Sequence, residues 1–173
     1  MNIILKQFRT KIIESFDEIL KDYGFIVESK KMENDSCNVI FSNGKLYIRI
    51  SATTNPRDYP FNSFNIVLGE GSLEFPESDW NSTSLWRIKN FIQKDSIESE
   101  YSLKNLDNEI KKAKNDLLEY GLEFLKLNLD LFNAVRKLQN QQREPYKIHL
   151  PNKDGKYIQK VESVSSKLKK KYS

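Results

Sequence analysis

Four carboxylates within ten residues, Glu70, Glu74, Glu77 and Asp79, are the densest chemistry this sequence offers. They lie in LGEGSLEFPESDWNSTSLWRIKNF, Leu68 to Phe91, with both tryptophans, Trp80 and Trp86, behind them and no lysine or arginine before Arg87. Carboxylates so spaced can offer oxygen ligands to Mg²⁺ or Ca²⁺, or divide acid and base roles between two side chains. They follow no EF-hand pattern, however, and acids just ahead of a helix commonly cap it or stay solvated. The expectation is no metal, no cofactor and no catalytic residue.

Other chemistries lack their parts. With one histidine, His149, and one cysteine, Cys37, a zinc site of Cys and His ligands cannot be assembled in one chain. His149 would have to be the base of any Ser-His triad, yet it lies in an extended stretch with no nucleophile signature. A phosphate-binding G-x-x-x-x-G-K-[ST] loop is missing, and Gly69-Glu70-Gly71 lacks the third glycine of a dinucleotide fingerprint. Those glycines read as a turn out of a strand.

Recognition fits the acidic stretch better. From Asp58 to Trp86 there are five acids and no Lys or Arg, in a chain whose net charge is +4. Such segregation at a strand-to-helix loop suits a basic protein partner, steered by charge and anchored by an aromatic ring. The candidate partner-binding residues are Asp58, Tyr59, Glu70, Glu74, Glu77, Asp79 and Trp80. The competing account makes Trp80 and Trp86 core residues and the acids a solubilising loop.

The charge balance bears on the alternative, a nucleic-acid-binding accessory protein using the basic C-terminal region. Of 28 basic side chains, Lys167, Lys169, Lys170 and Lys171 close the chain, and without them 24 basic groups face 24 acidic ones. Global basicity therefore says little about nucleic acid. At 173 residues, with 38% hydrophobic and 12% aromatic content, the chain can bury a core and is no disordered segment. The N-terminal apolar run is broken by Lys6, Arg9 and Lys11, and no later run approaches the ~18 apolar residues of a membrane span. A lone cysteine fits a reducing compartment, so a cytoplasmic protein without membrane contact is expected.

Elements follow from periodicity and turn chemistry. Leu5, Phe8, Ile12, Phe16, Ile19 and Tyr23 recur at helical spacing from Ile3 to Tyr23, with Gly24 as terminator. GFIVESKK reads as a strand, and SCNVIFSNGKLYIRIS as a hairpin turning at Asn43-Gly44. That turn would oppose Phe41 to Leu46, Val39 to Ile48 and Cys37 to Ile50, all on a buried face. FNSFNIVLG follows with Phe64, Ile66 and Leu68 inward. Pro76, with Ser78 or Asp79 as cap, opens a helix whose buried line is Leu85, Ile88 and Ile92. From Tyr101 to Gln142 a helical line runs through Leu103, Leu106, Ile110, Ala113, Leu117, Tyr120, Phe124, Leu127, Leu131, Ala134 and Leu138. It fits packing against the sheet or a coiled coil, and Gly121 offers a break. Tyr146 to Leu150 and Lys156 to Val161 are expected to form a small hairpin across Asp154-Gly155. The expected fold is α+β: one domain, 1–173, with an antiparallel sheet of about four strands. An N-terminal helix and two or three C-terminal helices pack on one face, and 163–173 is a flexible basic tail.

This layout, a leading helix ending in Tyr23-Gly24-Phe25, strands through Ile50 and Leu68 and helices after Trp80, resembles that of small bacterial immunity proteins that neutralise polymorphic toxins. The resemblance rests on layout across most of the chain. It implies a binder without catalysis that docks onto a toxin and blocks it, often with an acidic surface against a basic nuclease.

Overall fold

A computed structural model describes residues 2–58, 60–96, 100–146, 148–151, 153–160 and 163–173. Helix α1, Ile3–Lys21, buries Leu5, Phe8, Ile12, Phe16 and Leu20, one residue per turn on a single stripe. Asn2 caps it by accepting from the Ile4 amide at 3.0 Å. Gly24 takes φ +80° and the Phe25 amide returns to the Leu20 carbonyl, which ends the helix and aims the chain into the sheet.

Four strands form an antiparallel meander: β1 Ile26–Met32, β2 Ser36–Ser42, β3 Leu46–Thr53 and β4 Ser63–Glu70. Two short strands, β5 Ser82–Ser84 and β6 Tyr101–Ser102, both pair with β4. The sheet thus has six strands, not about four. At three and two residues, β5 and β6 are too short for alternation to reveal them.

The β2–β3 turn corrects the expected register while keeping the expected face. Phe41 opposes Ile48, Val39 opposes Ile50 and Cys37 opposes Ala52. The turn is centred on Gly44-Lys45, because Gly44 alone takes positive φ (+85°) while the Asn43 side chain accepts from the Lys45 and Leu46 amides. Glycine at the first central position is the type II′ pattern. Moving the turn by one residue slides the pairing by two, so no side chain changes face. Cys37, Val39, Phe41, Leu46, Ile48 and Ile50 are all buried.

That face, with Phe64, Ile66 and Leu68, meets α1 and a layer of further helices. Helix α2, Leu85–Gln93, begins later than expected, with Ser84 at its N-cap in extended conformation. Glu77–Asp79 instead make a separate 3-10 turn, so neither Ser78 nor Asp79 caps α2. Leu85 and Ile88 are buried, whereas Ile92 is exposed.

The Tyr101–Gln142 region is not one helix. After β6 come α3 Leu106–Tyr120, α4 Leu122–Leu125 and α5 Asp130–Gln142. A Cβ on Gly121 would stand 2.7 Å from Leu117 Cδ1 and 2.8 Å from its carbonyl oxygen, so the break needs glycine there. Leu127 takes φ +64° and resets the helical phase. Consequently α5 buries Phe132, Val135, Arg136 and Asn140, while Leu127 and Leu138 of the expected line are exposed.

Strands β7 Ile148–Pro151 and β8 Tyr157–Lys160 form a separate two-stranded sheet, with Gly155 at φ +73° in the turn. Residues 163–173, expected as a flexible basic tail, contain helix α6, Ser163–Tyr172, which is basic and packed against α5. Its charge pattern reads as solvated in the sequence because the acid that orders its last turn lies 94 residues away. Among the described residues no helix is long and apolar enough to cross a membrane.

Candidate functional site: an acidic edge clamped by distant bases

The edge starts where β3 and β4 run out. The Tyr47 ring lies flat over Gly69, whose missing Cβ would fall 2.0 Å from Tyr47 Cζ. Tyr47 then donates to Asn81 Oδ1 at 2.7 Å, and Asn81 donates to the Ser72 carbonyl at 2.7 Å. These bonds hold the segment 72–81 against the sheet. Burial raises the Tyr47 pKa, so the phenol stays a donor.

Three of the four central acids meet bases from the C-terminal third. Glu70 accepts from Arg136 Nη1 at 3.0 Å, and Arg136 also donates to Asn133 Oδ1 at 2.8 Å. The guanidinium is sandwiched between the Phe132 and Tyr172 rings, 4.9 and 5.1 Å from their centroids. Glu77 accepts from Lys171 Nζ at 2.7 Å and from the Tyr172 hydroxyl at 2.5 Å. These two hydrogen bonds, Lys171 first, lower the Glu77 pKa from its usual value. Asp79 accepts from the Tyr146 hydroxyl at 2.8 Å and lies 3.6 Å from Arg143 Nη2. Burial, and then this bond to Asp79, push the Tyr146 phenol up to about 12.

The other expected site residues fall differently. Glu74 is exposed, and its carboxylate has no partner among the described residues. Asp58 is exposed and accepts from Thr53 Oγ1 at 2.6 Å. Tyr59 lies outside the described residues. Trp80 is fully buried and cannot present its ring to a partner. It is enclosed because Tyr146 stacks on one side at 5.8 Å, and the Arg143 guanidinium lies 4.7 Å from its ring centroid. The exposed ring is that of Phe75, 58% accessible, which stacks on Tyr146 at 6.3 Å. Trp86 is half-buried with Arg87 over its ring at 4.4 Å.

Sequence reasoning missed Phe75, Arg136, Arg143, Tyr146, Lys171 and Tyr172. The available signal was Arg136 and Asn140 interrupting the apolar periodicity of α5. A second missed constellation joins α2, β6 and α3. Lys89 Nζ reaches both Asp116 oxygens at 3.1 and 3.2 Å, and Tyr101 donates to Asp116 Oδ2 at 2.9 Å. Burial and the neighbouring Asp116 carboxylate raise the Tyr101 pKa strongly. Asp116 and Tyr101 are both buried and turned toward each other, so this trio ties elements together.

The basic C-terminal region is partly engaged within the chain, since Lys171 meets Glu77 and Lys169 donates to the Arg143 carbonyl at 2.6 Å. Burial raises the Cys37 thiol pKa, which keeps it a small apolar core group. Among the described residues no three His, Cys, Asp or Glu side chains gather as a metal site would require. No protein-family model matches the chain, and the curated proteins and solved structures compared with it contain no match either.

Proposed function

We propose that the protein is a non-catalytic protein-binding domain that docks a basic protein partner, in the manner of an immunity-type inhibitor bound to a toxin. One observation carries this reading. Phe75 stands exposed at the head of a fixed stack, Phe75 on Tyr146 on Trp80 on Arg143, with the unpaired Glu74 beside it. An aromatic side chain held in place before binding costs little further ordering and suits the centre of an interface. Glu70 and Glu77 border it with partly exposed carboxylates, which favour encounter with a basic surface.

The reading corrects one detail of the sequence expectation, since the anchoring ring is Phe75 and Trp80 is its support. The test is affinity capture from native lysate with the wild-type protein and with Phe75→Ala and Glu74→Lys variants of equal melting temperature. A basic protein recovered at a fixed stoichiometry by the wild type should be lost with Phe75→Ala and reduced with Glu74→Lys. Calorimetric titration of the purified pair then measures the effect directly. Equal recovery and equal affinity across the three proteins would sink the proposal.

A further inference from the structure

The same edge already holds a lysine-rich helix, and that helix belongs to the chain itself. We propose that α6 is a resident ligand of the acidic edge, seated where a lysine-rich helix of the partner docks and displaced when the partner arrives. This rests on the reading that the edge binds a basic protein.

Four observations support exchangeability. The last turn of α6 is held by charge and hydrogen bonding: Lys171 and Tyr172 on Glu77, and the Tyr172 carbonyl on Asn140 Nδ2 at 3.0 Å. Lys171 remains 59% exposed and Glu77 29%, so water and salt reach the pair. The fit is also incomplete at its base. Asn140 is fully buried and Arg136 is 9% exposed, yet Asn140 Oδ1 and Arg136 Nε find no partner among the described residues. Asn140 cannot be turned round to mend this, because its Nδ2 already donates to the carbonyls of both Trp80 and Tyr172. A helix that meets these two atoms as well would bind there better than α6 does.

The third observation is connectivity. Between Tyr146 and α6 the chain runs through the β7–β8 hairpin, which among the described residues pairs with no strand of the main sheet. Release of α6 therefore breaks no sheet hydrogen bond. The fourth is charge: α6 brings Lys167, Lys169, Lys170 and Lys171, of which Lys171 meets Glu77 while Lys167 and Lys170 stay exposed. The sequence of α6 thus describes the chemistry of its replacement, a helix with several lysines and a terminal aromatic ring. The point that resists release is Ser165, fully buried, whose Oγ accepts from the Tyr146 amide at 3.0 Å. It lies at the start of α6, so the lysine turn can leave first.

The probe is a labelled peptide of residues 163–173, titrated by fluorescence anisotropy into the full-length chain. The wild type should bind it weakly, because its own α6 is in place. The double variant Lys171→Glu with Tyr172→Ala should bind it at least tenfold more tightly, and adding Glu77→Lys should abolish that gain. Equal affinity for wild type and double variant, or a gain insensitive to Glu77→Lys, overturns the proposal. A milder variant, Lys169→Ala with Lys171→Ala, covers the case in which the first does not fold. In hydrogen exchange its amides from 165 to 172 should lose protection while those of α5 and β4 keep theirs. Loss of protection in all three together would make α6 an integral part of the core and overturn the proposal. Neither measurement uses the partner, so a failure here is distinct from equal capture by the Phe75 variant.

Discussion

The inner face of the sheet and the edge beyond Glu70 are both ordered, but by opposite means. Under the sheet, Leu5, Phe8, Ile12, Val39, Phe41, Ile48 and Ile66 are almost fully buried and uncharged. At the edge, burial is shared among Trp80, Tyr47, Arg136 and Asn140, and nearly every contact is a hydrogen bond, an ion pair or a ring stack. Burial of apolar area is non-directional and gains from every side chain that joins it. A polar clamp is directional, and each member depends on one particular partner. The core should therefore tolerate exchange of one apolar side chain for another of similar volume but not a buried charge, whereas the edge should respond to the loss of any single donor or acceptor.

The largest expected effect tests the first half of that contrast. Val39→Asp places a carboxylate at a fully buried site without a partner and should cost about 4 kcal/mol or more. Denaturant titration reads it, and an unchanged midpoint would refute the inner face as described. Asp116→Ala should come next, at about 3–5 kcal/mol, because Lys89 and Tyr101 would be left without their shared acceptor. Asp116→Asn should cost less, since it keeps one acceptor oxygen for Tyr101. If both variants melted like the wild type, the trio would be a surface contact only.

Two smaller effects sharpen the edge. Glu77 has a folded pKa lowered from 4.5 by Lys171 and Tyr172, so its contribution is complete above 4.5 and fades as pH falls through the lowered value. Amide exchange of α6 should thus be pH-independent in relative protection at neutral pH and lose protection below 4.5, ahead of α1. Release at neutral pH instead would assign the docking to another group. Smallest of all, Glu74→Lys should shift stability by no more than about 0.5 kcal/mol, since the side chain is exposed and unpaired. A larger shift in the melting curve would mean that Glu74 is part of the clamp.

How far the sequence disclosed each region follows from the same contrast. Helix α1 and the four-strand meander were legible because their apolar residues recur with a period that only one element can satisfy. The hairpin turn lies one residue beyond Asn43-Gly44, since Asn43-Gly44-Lys45 can host either of two turns and Asn43 spends its side chain on the following amides. The continuous line through Leu127 and Leu138 failed because a positive φ at Leu127 restarts the helix on another face. The clamp was illegible. Glu70 and Arg136, Asp79 and Tyr146, and Glu77 and Tyr172 are 66, 67 and 95 residues apart, and no local pattern links them. What the sequence did offer was the segregation of acids, and the structure shows those acids meeting the chain's own bases.

The shared edge of β4 carries a consequence for synthesis. The β1–β4 meander is complete once Glu70 has been made, yet among the described residues the outer edge of β4 is covered by β5 and β6, which end at Ser84 and Ser102. At about 5–20 residues per second, a ribosome needs roughly 2 to 6 s to cross that interval. Throughout it a nascent sheet offers β4 backbone groups that any extended chain can pair with. The opposite edge is guarded from the start by the irregularity between Val27 and Ser29 and by Lys30 and Lys31 on β1. Aggregation during expression should therefore begin at β4, and slowing translation between Glu70 and Ser102 should raise the insoluble fraction more than slowing it anywhere before.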